Sequence, residues 1–119
     1  SIDDKQVRRA GLDYWKFVYL HIHKSFQDWI DWHNTNESNV PFWLIEDTPV
    51  KTSNIFSLKI PPRAAFVFGK ETKGISKDIQ EQFPEKLVSI PMFSSRIRSL
   101  NLSNSIAITL YEAIRQQQA

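Results

Sequence analysis

Short apolar runs, each closed by a turn signal, set the pattern of this chain. Pro41-Phe42-Trp43-Leu44-Ile45 gives way at once to Glu46-Asp47, and Ala64-Ala65-Phe66-Val67-Phe68 to Gly69. Leu87-Val88-Ser89-Ile90-Pro91 is a third run of the same kind. Each is too short for a helix, and continuous apolar character suits a strand covered on both faces, as in a parallel sheet. Tyr14 to His23, with Phe17, Val18, Tyr19, Leu20 and Ile22, also favours a strand through its aromatic and β-branched content.

Helical spacing falls between these runs. Phe26, Trp29 and Ile30 stand at i, i+3, i+4 behind Ser25, which predicts a capped helix to about His33, broken by the polar stretch Asn34 to Asn39. Ser76 predicts a second cap, for a helix from Lys77 to Phe83 that Pro84 ends. The last helix starts near Leu102 with Asn101 as its cap, and Ile106, Leu110, Ala113 and Ile114 form its apolar stripe. At the front, Asp3 and Asp4 precede Lys5, Arg8 and Arg9 and then Gly11, the pattern of a short helix aligned with its dipole. Residues 48–63 offer Val50, Ile55, Phe56, Leu58 and Ile60 as short extended pieces, closed by Pro61-Pro62. Strand and helix alternate, so the expected fold is α/β, with a mostly parallel sheet and helices on both faces. The 119 residues fit one domain, residues 1–119.

Composition narrows the classes. No apolar run approaches the length of a membrane span, which excludes a transmembrane segment, and the acidic start Ser1-Ile2-Asp3-Asp4 is unlike a signal peptide. The absence of cysteine removes disulfides, thiolate catalysis and cysteine-based zinc sites, and it is compatible with a cytoplasmic location. A formal charge of +2 is only a faint pointer to an anionic partner.

Candidate chemistry gathers behind the strands. Three loops follow their carboxyl ends: Glu46-Asp47, Gly69 to Gly74, and Met92 to Asn101. Ligands of open α/β sheets bind at that edge. The segment from Gly69 to Gly74 is neither a Walker A loop nor a dinucleotide fingerprint. From physics alone a strand-to-helix turn is the simpler reading, with a backbone cradle for a flat ligand as the functional one. Ser94, Ser95, Arg96, Arg98, Ser99, Asn101, Ser103 and Asn104 form the richest polar cluster. Helix capping and phosphate binding explain it equally well. His21, His23 and His33 suggest packing or surface roles rather than a metal site, because no carboxylate obviously joins them. Trp15, Trp29, Trp32 and Trp43 are most simply core or rim residues. Lys5, Arg8 and Arg9 make a small basic patch, ordinarily a solvated face but suited to a nucleic-acid backbone.

Phe68-Gly69-Lys70-Glu71-Thr72-Lys73-Gly74-Ile75 resembles the Phe-Gly-x-Glu-Thr-x-Gly-Leu motif of the SPOUT superfamily (SpoU/TrmH family) of RNA 2′-O-methyltransferases. Ile90-Pro91-Met92, then Arg98 to Ala107 and Tyr111-Glu112-Ala113, are similar to its last motif. Asp3-Asp4-Lys5 with Arg9 to Tyr14 resembles a segment of the TrmL-type branch, tRNA (cytidine/uridine-2′-O)-methyltransferases of the wobble nucleotide. The resemblance implies a deep C-terminal trefoil knot, an exception to unknotted topology. It implies S-adenosylmethionine as methyl donor, S-adenosylhomocysteine as product, tRNA as substrate, a homodimer, and neither metal nor membrane. Carried over by motif, cofactor binding falls to Leu44, Ile45, Gly69, Glu71, Ile90, Met92, Ser99, Asn101 and Asn104. Arg98 and Tyr111 fall near a catalytic site shared between subunits, and Lys5, Arg8 and Arg9 would meet RNA. A ribose 2′-hydroxyl would attack the sulfonium-activated methyl group in line, with both reactants oriented by protein and the hydroxyl proton removed.

One feature of the family pattern is missing. Members open with a strand, a helix bearing Asn-Thr-Gly-Asn-Ile-x-Arg, and a second strand, none of which precedes Ser1. The expectation is therefore an N-terminally incomplete SPOUT fold, either a fragment or a shortened protein. The alternative function is a catalytically impaired, knotted RNA- or cofactor-binding dimerisation module.

Overall fold

The computed structural model describes residues 25–46, 53–69, 74–91 and 102–118. The expected front helix, the strand Tyr14–His23, and the candidate residues Lys5, Arg8, Arg9, Glu71, Met92, Arg98, Ser99 and Asn101 lie outside the described residues.

Helix α1 spans Phe26–Asn36. The Ser25 hydroxyl caps it by accepting the Asp28 N–H at 3.1 Å, and Asp28 places negative charge in the first turn, where the helix dipole favours it. The helix runs past His33, its expected end. Asn34 and Asn36 are exposed, so their polarity costs nothing, and Asn36 Nδ2 donates back to the Trp32 carbonyl at 2.9 Å. The last turn closes where the Glu37 N–H meets the His33 carbonyl at 2.7 Å.

Strand β1 is Phe42–Ile45, β2 is Ser53–Asn54, β3 is Ala65–Phe68 and β4 is Leu87–Ser89. They pair in the order β2-β4-β1-β3, every pair parallel. The three expected apolar strands are all present, and β1, bonded on both sides, is flanked by β4 and β3. Residues 53–63 depart from the expected extended pieces. Only Ser53 and Asn54 join the sheet, and Ile55 is buried in a short 3-10 turn, Ile55–Ser57, whose start Asn54 caps by accepting the Phe56 N–H at 2.7 Å.

Helix α2 is Lys77–Gln82, capped by the Ser76 hydroxyl at the Ile79 N–H, 3.4 Å away. Pro84 opens a 3-10 turn, Pro84–Lys86, that leads directly into β4. Helix α3 is Leu102–Gln117. None of the helices among the described residues is long and apolar enough to cross a membrane.

Alternation along the strands divides the core between two faces. Phe42 and Leu44 point to one face, with Ile30 of α1, Ile75 and Leu87, and Ile79 of α2 packs there too. Ile45 and Val88 point to the other, with Ile55, Ile60 and Ile90, and α3 covers them through Ile108 and Ala113. Helices therefore lie on both faces, as expected of the α/β class. The buried face of α3 is rotated from the expected stripe. Leu102, Ser105, Ile106, Thr109 and Glu112 are buried, whereas Leu110, Ala113 and Ile114 are half-buried. Polar residues are tolerated there because they are hydrogen-bonded. Thr109 Oγ1 donates to the Ser105 carbonyl at 2.8 Å, and Glu112 is held by Arg115 and Gln116.

Candidate active site

A parallel sheet brings the carboxyl ends of its strands to one edge, so the loops after β1, β3 and β4 leave from the same side. In register, Ile45 pairs with Phe68 on one side and Val88 on the other. Glu46 extends the β1–β4 pairing by one step, its N–H donating to the Val88 carbonyl at 3.0 Å. Gly69 and Ile90 come immediately after the last residues of β3 and β4. Four of the candidates, Leu44, Ile45, Gly69 and Ile90, are thus gathered at one edge by strand register alone.

Their burial limits what each can do. Leu44 is fully buried and its side chain belongs to the core beneath α1, so only its backbone is available to a ligand. Ile45 and Ile90 are buried together on the α3 side and supply an apolar wall. Gly69 has no room for a side chain, since a Cβ there would stand 2.1 Å from the Gly74 carbonyl carbon and 2.4 Å from the Ile75 nitrogen. The entrance and exit of the 69–74 loop therefore touch backbone to backbone. Gly74 has φ of 65°, the left-handed region that glycine enters without strain. The close approach of Gly69 to Gly74 and Ile75 brings the two ends of this segment together at the sheet edge. That arrangement fits a flat ligand held by apolar contacts and backbone groups.

The α3 candidates are surface residues of that helix. Asn104 and Tyr111 are both exposed and seven residues apart, on one face of α3 at roughly 10 Å spacing along its axis. That face is opposite the buried Thr109. The start of α3 reaches the edge through Leu102 and Ile106, which pack with Phe68.

His33 is a core residue. It is buried, stacked on Trp29 at 4.8 Å, and its Nε2–H donates to the Val40 carbonyl at 2.9 Å. Among the described residues no three His, Cys, Asp or Glu side chains are grouped to hold a metal. Among the described residues, Glu112 and its partner Arg115 have shifted proton equilibria. Arg115 grips its carboxylate in a bidentate pair, Nε to Oε1 at 2.9 Å and Nη2 to Oε2 at 2.7 Å. This pair, aided by Gln116 and opposed by burial, holds the Glu112 carboxyl below the usual glutamate range. Glu46 is the residue that sequence reasoning left without a role. Its Oε2 accepts the Ile75 N–H at 2.6 Å. The only hint was its position, an acid directly after a buried strand.

Known proteins share this fold and sequence pattern. The family model described as the SpoU rRNA Methylase family matches residues 1–111. A tRNA (cytidine(34)-2'-O)-methyltransferase of Polaromonas sp. (strain JS666) is 37% identical over 98% of this chain and 68% of its own length. A solved structure concerned with the 2-OH methylation of C/U34 on tRNA superposes with a TM-score of 0.69 at 25% identity, covering 99% of this chain and 72% of that one. The SpoU methyltransferase AviRb from Streptomyces viridochromogenes, solved in complex with the cofactor AdoMet, superposes with a TM-score of 0.64 at 28% identity over 80% of this chain and 36% of that one. The reading as a module without catalysis gains no support from these likenesses. With its residues 1–111 matched and its parallel sheet shared, this chain belongs to the SpoU rRNA methylase family.

Proposed function

We propose that this protein is an S-adenosylmethionine-dependent methyltransferase that modifies the ribose 2′-oxygen of nucleotide 34, the wobble position of tRNA. The observation that carries this reading is the sheet edge where Ile45, Gly69 and Ile90 meet, in a chain 37% identical to a tRNA (cytidine(34)-2'-O)-methyltransferase.

The cofactor fits that edge by chemistry. Backbone groups at Leu44, Ile45, Gly69 and Ile90 would hold the adenosine, with Ile45 and Ile90 as its apolar wall. Glu71, Met92, Ser99, Asn101 and Asn104 complete the pocket in this reading. Bound there, S-adenosylmethionine supplies a sulfonium-activated methyl group. The protein's own task is to bring the ribose hydroxyl into line with that group and to manage its proton. We assign orientation and charge stabilisation to Arg98, with Tyr111 beside it, and contact with RNA phosphates to Lys5, Arg8 and Arg9.

The finer architecture belongs to the same proposal. Residues 1–119 act as one domain, with a deep trefoil knot at the C-terminal end of the fold. Two chains associate through the half-buried apolar side of α3, where Leu110 and Ile114 lie beside the exposed Tyr111, and they share the catalytic site. The enzyme works in the cytoplasm, where tRNA is. Transfer of labelled methyl from S-adenosylmethionine to tRNA lacking wobble methylation tests the reading. Incorporation that depends on the protein is expected, and a folded sample that neither binds the donor nor transfers its methyl group overturns it.

A further inference from the structure

Gly69 and Gly74 are packed together at the sheet edge, and one carboxylate holds Gly74 and Ile75 there. Glu46 leaves the end of β1 with its backbone already tied to β4, the Glu46 N–H meeting the Val88 carbonyl at 3.0 Å. Its side chain then crosses to the loop exit, where Oε2 accepts the Ile75 N–H at 2.6 Å. A bond this short to an ionised acceptor belongs to the strong class. Ile75 is anchored in two further ways. Its side chain is buried in the core beneath α1, and its carbonyl accepts Gln80 Nε2 at 2.8 Å.

The carboxylate also occupies the space beside Gly74. A Cβ on Gly74 would stand 2.5 Å from Oε2 and 2.9 Å from Oε1. Glycine at this position therefore serves two ends. It permits φ of 65°, and it leaves room for the carboxylate to reach Ile75. Gly74 in turn abuts Gly69 at the loop entrance. Holding the exit with Glu46 therefore fixes the entrance against it.

We infer that Glu46 is a positioning residue for cofactor binding: by locking Ile75 and Gly74 to the end of β1, it holds Gly74 against Gly69 and so keeps the Gly69 backbone where it receives the adenosine. This rests on the proposed cofactor site. Glu46 acts on the ligand through Gly74 and Gly69. Losing the lock lowers the fraction of molecules with Gly69 correctly placed, and the apparent affinity falls by that fraction.

The test is calorimetric titration of S-adenosylmethionine into the full-length protein, with steady-state kinetics on tRNA and melting curves as folding controls. Glu46→Ala is expected to weaken binding about tenfold, in keeping with loss of a charge-assisted bond, and to raise KM for the cofactor alike. At saturating cofactor its kcat stays within about twofold, because the lock acts on binding. Glu46→Gln keeps an acceptor for the Ile75 N–H and is expected to bind within about threefold of the parent. Gly74→Ala should expel the carboxylate, so the double variant Glu46→Ala with Gly74→Ala should bind no worse than Gly74→Ala alone. If Glu46→Ala does not fold, Glu46→Asp keeps the charge but draws it back by one methylene, with the same loss expected. Undiminished binding by Glu46→Ala or Glu46→Asp overturns the inference, as does additive loss in the double variant. Failure of the folded parent to bind removes the cofactor site itself, and this inference with it.

Discussion

On one face of the sheet, Phe42 and Leu44 meet Ile30, Ile75 and Leu87, and aromatic rings close round them. Phe42 takes edge-on contacts from Trp29 at 5.3 Å and Phe83 at 5.6 Å. On the other face, α3 covers Ile45, Val88 and Ile60 and is also fastened by amide side chains. Gln116 Oε1 accepts the Ile60 N–H at 2.8 Å, Gln116 Nε2 donates to the Leu58 carbonyl at 2.7 Å, and Gln117 Nε2 donates to the Ile60 carbonyl at 2.8 Å. Apolar burial is non-directional and tolerates a small slide. Hydrogen bonds to named backbone groups do not. The face without proposed catalytic groups is held chiefly by burial, with the His33–Val40 and Gln80–Ile75 hydrogen bonds in addition. By contrast, the helix that carries Asn104 and Tyr111 is tied by three amide hydrogen bonds to the 58–60 backbone.

If that contrast is correct, the two faces fail differently. The largest effect is expected from Leu44→Ala, which empties a fully buried site beneath α1. A loss of about 2–5 kcal/mol in denaturant unfolding is expected. Gln116→Leu comes next, because it leaves the Ile60 N–H and the Leu58 carbonyl without their partner. We expect a loss of about 2 kcal/mol from those two groups. Methyl transfer should fall by more than stability predicts, since α3 would lose its register. Ser25→Ala removes the α1 cap and should cost about 1 kcal/mol with methyl transfer unchanged.

The smallest effect is a pH dependence. The Glu112 carboxyl is held below its ordinary value of 4.5, chiefly by Arg115. A depressed folded-state value means that the ionised carboxylate contributes stability above about pH 4.5, and that this is lost as pH falls through the folded value. The melting-temperature gap between the parent and Glu112→Gln should therefore be present at neutral pH and close below that value. The gap should be small because the Arg115 side chain is mostly in water. A gap that widens in acid would contradict the assignment.

Legibility in the sequence follows the same division. The apolar runs at 42–45, 65–68 and 87–89 disclosed the strands because both faces of the sheet are covered. Ser25 and Ser76 disclosed two helix starts because capping is local chemistry. The rotation of α3 was not legible, because Ser105, Thr109 and Glu112 look solvent-facing until their partners are known. Nor was β2, since two polar residues carry no periodicity, and Ser53 and Asn54 are strand only because Val88 and Ser89 lie alongside. At the site, the Gly69–Gly74 loop was visible as a motif. The Glu46–Ile75 bond was not, because it joins residues 29 apart in sequence.

The central claim is methylation of one ribose oxygen in one place. Incubation of the full-length protein with S-adenosylmethionine and unmodified tRNA, followed by nuclease digestion and mass spectrometry of the anticodon fragment, reads it directly. The account predicts one added methyl group, on the ribose of nucleotide 34. Methylation of a base, or of ribose at other positions with nucleotide 34 untouched, would contradict it.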